Sequence, residues 1–159
     1  MAAAGKYKLY EAANLHLDDG TFDMDNAALG LTSALFLSTS NCNTLSVGTG
    51  VYGDLTNEHA NANGYTTGGI ALTGETWTKS GSVATFNCSA VVWTASGGSI
   101  VARFNVIYCN ATVNGIVKPL LCVCLLDTAP ADVTATTGNT FTVTPNASGI
   151  FTQTSGTSD

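Results

Sequence analysis

The segment 99–109, SIVARFNVIYC, constrains the fold more than any other part of the sequence, because β-branched and aromatic residues recur in it at every second position. This spacing is typical of a strand with one face in the core, and it does not suit a helix. The face that we expect to be buried carries Ile100, Ala102, Phe104, Val106 and Tyr108. We therefore predict Trp93, Phe104, Val106 and Tyr108 as core residues.

Turn residues divide the rest of the chain into further strand candidates. Gly97-Gly98 predicts a tight turn, since glycine reaches positive φ without strain, and it makes segment 82–94 the expected antiparallel partner of 99–109. Pro119 predicts an edge or a bulge in a further candidate, because proline cannot donate to a strand ladder. The other candidates are 29–38, 68–78, 116–126, 140–144 and 150–153.

Two segments carry local signals of a different kind. Asp18-Asp19-Gly20 predicts a hairpin turn between short strands at 13–17 and 21–24. Segment 54–61 is the one helical candidate, with Asp54 as its cap and Glu58 near the first turn, where the helix dipole favours an anion.

The number and spacing of these segments predict the fold class. We expect an all-β protein, a single β-sandwich or barrel-like domain of about eight antiparallel strands with one short helix. Residues 1–12 are interpreted as an N-terminal arm or first strand, 13–153 as the β domain and 154–159 as a flexible tail.

Charge excludes some classes of partner. Five Lys and Arg stand against eleven Asp and Glu, for a net charge of −6. A nucleic-acid binder needs a clustered basic footprint, so we expect no direct nucleic-acid contact. No apolar run approaches the ~20 residues of a membrane-spanning helix, and residues 1–10 have no apolar stretch of signal-peptide length. We expect a soluble protein made in a cytosol, with no membrane contact.

Residues that could carry chemistry are few and scattered. The five cysteines are an odd number without a CxxC pair, so we predict reduced structural thiols, with Cys122 and Cys124 on one strand face. His16 and His59 have no cysteine at metal-ligand spacing, and no nucleophile motif occurs. We therefore expect no catalytic residues, no cofactor and no metal, and no enzymatic activity.

Two clusters admit a functional and a structural interpretation. The acidic segment 18–25 could bind calcium, but it lacks the EF-hand spacing, and a turn is the favoured interpretation. The aromatic residues could form a sugar-stacking surface, but such side chains more often fill the core of a sheet. They are Trp77, Trp93, Phe104 and Tyr108.

The segment Lys6-Tyr7-Lys8-Leu9-Tyr10 is the candidate partner-binding site. It holds two of the five cations of an otherwise acidic chain, and aromatic and apolar residues lie between and beyond them. One interpretation is an ordinary first strand or a frayed terminus. The other is an arm that pairs with a neighbouring subunit through its backbone, anchors through Leu9 and Tyr7 or Tyr10, and pairs its lysines with carboxylates.

Six motifs follow one another along the chain: YGDLTNE at 52–58, NGYTTGG at 63–69, VWTA at 92–95, ARFNVIY at 102–108, GNTF at 138–141 and NASGIF at 146–151. Taken in this order, they resemble a family of small virion structural proteins of tailed bacteriophages. The resemblance covers about residues 13–153 and depends on the shared order of the motifs. The cysteines and residues 1–12 depart from it.

The resemblance implies a place in the virion, after assembly in the host cytoplasm, and it gives no active site to carry over. Within the virion it favours a capsid decoration or cement protein that stabilises the head through strand pairing and apolar contacts with the major capsid protein. A homo-oligomer is expected, with a trimer favoured. The alternatives are a neck, tail or fibre component, or a carbohydrate-binding module on the particle.

Overall fold

The computed structural model describes residues 2–3, 5–24, 29–127 and 132–154, and it shows an all-β protein with one short α-helix. The predicted fold class is confirmed. The elements in chain order are β1 Ala2–Ala3, β2 Lys8–Leu9, α1 Glu11–Asp18, β3 Leu31–Phe36, a 3₁₀ turn Tyr52–Asp54, β4 Ile70–Ala71, β5 Thr76–Ser80, β6 Val83–Asn87, β7 Val91–Thr94, β8 Ile100–Ala102, β9 Phe104–Cys109, β10 Thr112–Val113, β11 Ile116–Val117, β12 Leu120–Leu125, β13 Val133–Ala135, β14 Thr140–Thr144 and β15 Phe151–Thr154.

A five-stranded antiparallel sheet, in the order β2-β12-β9-β3-β4, forms the centre of the protein. Every residue of β3 and β9 is buried, and so are the first five residues of β12. Both faces of these strands are therefore covered, and their sequences are accordingly apolar at nearly every position rather than at every second one. A one-residue bulge between Leu120 and Cys122 follows Pro119, as predicted.

The remaining described strands form four smaller sheets. Their orders are β1-β14-β7, β15-β6-β5, β13-β8 and β10-β11, and every pair in them is antiparallel except the parallel pair β1–β14. The buried side chains of these sheets and of the central sheet belong to one hydrophobic cluster. The predicted core residues Trp93, Phe104, Val106 and Tyr108 are all in it, which confirms that prediction.

The predicted strand 99–109 divides into β8 and β9, and its predicted pairing with 82–94 is wrong. The chain bends at Arg103, whose backbone N–H donates to the carbonyl of Phe36 at 2.7 Å, so β8 and β9 enter different sheets. β8 pairs with β13, while the second half of 82–94 pairs with β14. The turn at Gly97-Gly98 is present, with Gly97 at φ +78°, but it joins strands of separate sheets.

The predicted hairpin at 13–24 and the predicted helix at 54–61 are also wrong. Residues 13–17 lie in helix α1, because Ala13 and His16 share one face and bury it, and Asp19 caps the helix through its backbone N–H to Leu15. Asp54 caps no helix. Its carboxylate accepts hydrogen bonds from the backbone N–H groups of Thr49 and Val51, which closes the 3₁₀ turn, and the chain beyond it is irregular.

No helix within the described part of the chain is long and apolar enough to cross a membrane. All five cysteines are free thiols, and four of them are buried. The predicted tail 154–159 lies outside the described residues except for Thr154, the last residue of β15.

Truncation of Phe104 tests the central sheet. Its side chain is only 8% exposed, so Phe104→Ala should lower the free energy of unfolding by about 3–5 kcal/mol. The control Val92→Ala alters a β7 side chain that is 47% exposed, and its cost should stay below about 1 kcal/mol. Chemical denaturation measures both. Equal costs for the two variants would contradict the assigned burial.

Candidate functional site

The candidate partner-binding segment, residues 6–10, is called the arm from here on. It contains β2, which is an edge strand of the protein's own central sheet. Lys8 pairs with Val123 and Leu9 with Cys122 of β12. The side chains of Lys6 and Lys8 are exposed, those of Tyr7 and Leu9 are partly buried, and that of Tyr10 is fully buried. The alternation of polar and apolar residues in the sequence therefore matches the two sides of the strand. The backbone of this segment therefore forms an ordinary first strand, which is one of its two interpretations.

Two tyrosine hydroxyls of the arm attach it to the protein interior through hydrogen bonds. The Tyr7 hydroxyl donates to Oδ1 of Asn105 at 2.8 Å, and the Tyr10 hydroxyl donates to the Cys42 carbonyl at 2.7 Å. Asn105 is fully buried in β9, and its Nδ2 donates to Ser33 Oγ and to the Ala34 carbonyl. This amide thus links the arm to β3 and β9, and its polar atoms are satisfied only while Tyr7 stays in place.

Burial disfavours the ionised forms of the tyrosine hydroxyls of the arm and of the thiols packed near it. It raises the pKa of the Tyr7 and Tyr10 hydroxyls and of the Cys122 thiol well above their usual values, and it raises the pKa of the Cys124 thiol to about 12. Thiols that stay protonated at neutral pH are poor nucleophiles and poor metal ligands. Cys122 and Cys124 accordingly act here as small apolar side chains.

The arm lines a groove, which we call the arm groove. Its cavity measures about 710 Å³ and lies between residues 6–9 on one side and residues 148–152 on the other, with Asn14 and Leu45 also in its wall. The predicted site residues Lys6, Tyr7, Lys8 and Leu9 all line this groove. Tyr10 does not, and its predicted role as an outward anchor does not fit its position in the core.

An edge strand lines each side of the arm groove. β2 ends the central sheet, and β15 ends the sheet β15-β6-β5, so in the described structure neither has a strand on its other side. An edge strand presents backbone N–H and C=O groups that can pair with another chain. The hairpin predicted at 13–24 does not supply a strand to pair with β15, because these residues form α1 and the turn after it.

Two smaller cavities continue the arm groove along β15. One of about 420 Å³ shares Leu9, Phe151 and Thr152 with it, and one of about 440 Å³ continues to Trp77 through Leu17 and Gln153. The side chains change along this path. Lys6 and Lys8 make the first end basic, and the far end is apolar, with Phe22, Met24 and Trp77 beside the acidic Asp23.

A second polar cluster surrounds Glu58, and the sequence interpretation misplaced it. The hydroxyls of Tyr52 and Tyr65 each donate to one oxygen of the Glu58 carboxylate, Tyr65 at 2.5 Å, and the backbone N–H of Gly68 donates to Oε1 at 2.7 Å. The Tyr52 ring stacks on Tyr108, with centroids 4.3 Å apart. Glu58 therefore joins the loops at 52–68 to the central sheet, and this arrangement accounts for it as a structural group.

The remaining candidates have structural surroundings. Asp19 accepts a hydrogen bond from the backbone N–H of Thr21, and hydrogen bonds from Thr21 lower the pKa of its carboxyl group. In the described part of the acidic segment, which excludes Asp25, no three potential ligands converge, and the same holds for the other described residues. His59 packs against Tyr65, and burial lowers the pKa of its imidazole. Trp93, Phe104 and Tyr108 are buried, which leaves only Trp77 of the proposed sugar-stacking set partly exposed.

Comparisons with family models, curated proteins and solved structures found no match to this chain.

Removing the Tyr7 hydroxyl tests how the arm is held. Tyr7→Phe leaves Oδ1 of the buried Asn105 without its partner, so the free energy of unfolding should fall by about 1–3 kcal/mol. The control Thr152→Val removes an exposed hydroxyl on β15 and should change stability by about 0.5 kcal/mol or less. Equal stability of Tyr7→Phe and the unmodified protein would show that the arm is not fixed through Asn105.

Replacing Glu58 tests the loop cluster. Glu58→Gln substitutes an amide for a carboxylate that accepts three hydrogen bonds, and we expect a loss of about 1–3 kcal/mol in the free energy of unfolding. Glu75→Gln makes the same change at an exposed position and should cost about 0.5 kcal/mol or less. Thermal melts of the two variants side by side measure the difference, and an equal shift would remove the structural role of Glu58.

Proposed function

We propose that the protein is a non-enzymatic structural protein of a tailed-phage virion, and that it decorates or cements the capsid. The arm groove, with an edge strand on each side, is the observation that carries the proposal. A protein that binds by strand addition needs such an edge and a neighbouring space for the added strand. The family resemblance supplies the virion as the setting and the major capsid protein as the partner.

The chain's composition agrees with a role in repeated packing. Only 10% of the residues are charged, against roughly 25% in typical domains, so the surface is largely Thr, Ser, Asn and Gly. Such a surface has little charge to desolvate when it packs against other subunits. Many weak contacts over a shell act together through avidity, so a single groove of modest affinity is sufficient.

A copy count tests the proposal. Quantitative mass spectrometry of purified virions, from the phage that encodes this chain, should find the protein at hundreds of copies per particle. A count of about a dozen or fewer would instead assign it to the neck, tail or fibre. Absence from the virion would overturn the proposal.

Charge reversal on the arm tests the assigned surface. Virions assembled with Lys6→Glu and Lys8→Glu together should carry fewer copies, while Lys79→Glu, an exposed lysine on β5 away from the groove, should leave the count unchanged. Deletion of residues 1–10 is a poorer test, because it removes β2 from the protein's own sheet. Unchanged occupancy in the double variant would show that the arm groove is not the contact surface.

A further inference from the structure

The arm groove has three properties that together select one kind of occupant. The first is backbone: β15 is a four-residue strand with a partner, β6, on one side only in the described structure. An extended chain that enters the groove can continue this sheet by pairing with β15, and main-chain hydrogen bonds then supply affinity without any particular side chain.

The second property is charge. Lys6 and Lys8 line the groove and are exposed, and they are two of only five cations in a chain of net charge −6. The two lysines therefore favour an acidic segment in this groove, although the chain as a whole is acidic. Opposite charges across an interface select the partner and fix its register more than they add affinity.

The third property is the change of character along β15. The cavities next to Thr152 and Gln153 lead away from the lysines towards Leu17, Phe22 and Trp77, with Asp18 and Asp23 nearby. Acidic side chains are disfavoured at this far end, and apolar side chains fit it. The groove thus distinguishes the two ends of an extended segment.

We infer that the arm groove binds an extended peptide segment that pairs with β15, places acidic side chains against Lys6 and Lys8, and places apolar side chains towards Trp77. This inference names the partner chemistry of the surface used in the proposed function, and it rests on that proposal for the source of the segment, a strand of the capsid protein. Binding of the peptide itself is a property of the isolated protein.

The test is a titration of the full chain with short fluorescent peptides. The probe has eight residues, two glutamates followed by alternating threonine and valine, and the control peptide has two lysines in place of the glutamates. Half-saturation by the probe is expected between about 10 µM and 1 mM, because a short strand buries little surface. The lysine peptide should bind about tenfold more weakly, and added salt should reduce the difference.

Protein variants and backbone variants separate the two contributions. Lys6→Glu with Lys8→Glu should weaken the probe by about tenfold and remove the preference over the lysine peptide, whereas Lys79→Glu should do neither. Two further probes carry N-methyl groups on alternate amides, one on the odd and one on the even positions. One of these should lose binding, since N-methylation blocks pairing along one edge of a strand.

Five results would overturn the inference. The first four are absence of probe binding at about 1 mM, equal binding of the acidic and basic peptides, equal weakening by Lys79→Glu, and retained binding of both N-methylated probes. Self-association of the protein that the double lysine variant abolishes, without peptide binding, would assign the groove to a second copy and also overturn it. Absence of the protein from virions would overturn the proposed function and leave a positive titration standing.

Discussion

Strands β3, β9 and β12 have apolar side chains on both faces, so water must be excluded from both sides of the central sheet. The remaining strands form smaller sheets, and their buried side chains belong to the same hydrophobic cluster as those of the central sheet. The bend at Arg103 sends β8 and β9 into different sheets. Burial of this extent supplies the hydrophobic stabilisation of a chain that has no disulfide bond.

A sheet covered on both faces still has edges, and the arm covers one of them. Tyr7 and Tyr10 attach the arm through hydrogen bonds to Asn105 and to the Cys42 carbonyl, so the arm belongs to the folded domain rather than projecting from it. The surface that the arm offers to a partner is therefore its outer side, with Lys6 and Lys8, and the neighbouring edge of β15. Binding by addition to this surface leaves the Asn105 hydrogen bonds intact, whereas release of the arm would break them.

The sequence predicted what depends on local periodicity and turn chemistry. Such patterns predicted the fold class, the bounds of β14, the bulge after Pro119 and the burial of Trp93 and Phe104. Pairing did not follow, because nothing local reveals that Arg103 marks a bend between sheets. Helix α1 was missed because its apolar stripe is short and an Asp-Gly turn signal lies directly after it. The charge of residues 6–10 identified the arm in the sequence. The position of β15 on the opposite side of the groove depends on tertiary packing, which no local pattern predicts.

Hydrogen exchange, measured by mass spectrometry on the free protein and on the protein bound to virions, tests the central claim most directly. Exposed edge amides exchange readily in the free protein, and pairing with an added strand slows them. The account predicts that residues 148–154, which contain β15, gain protection on the particle, while the opposite edge of that sheet, β5 Thr76–Ser80, does not. Protection of β5 with unchanged exchange at β15 would contradict it.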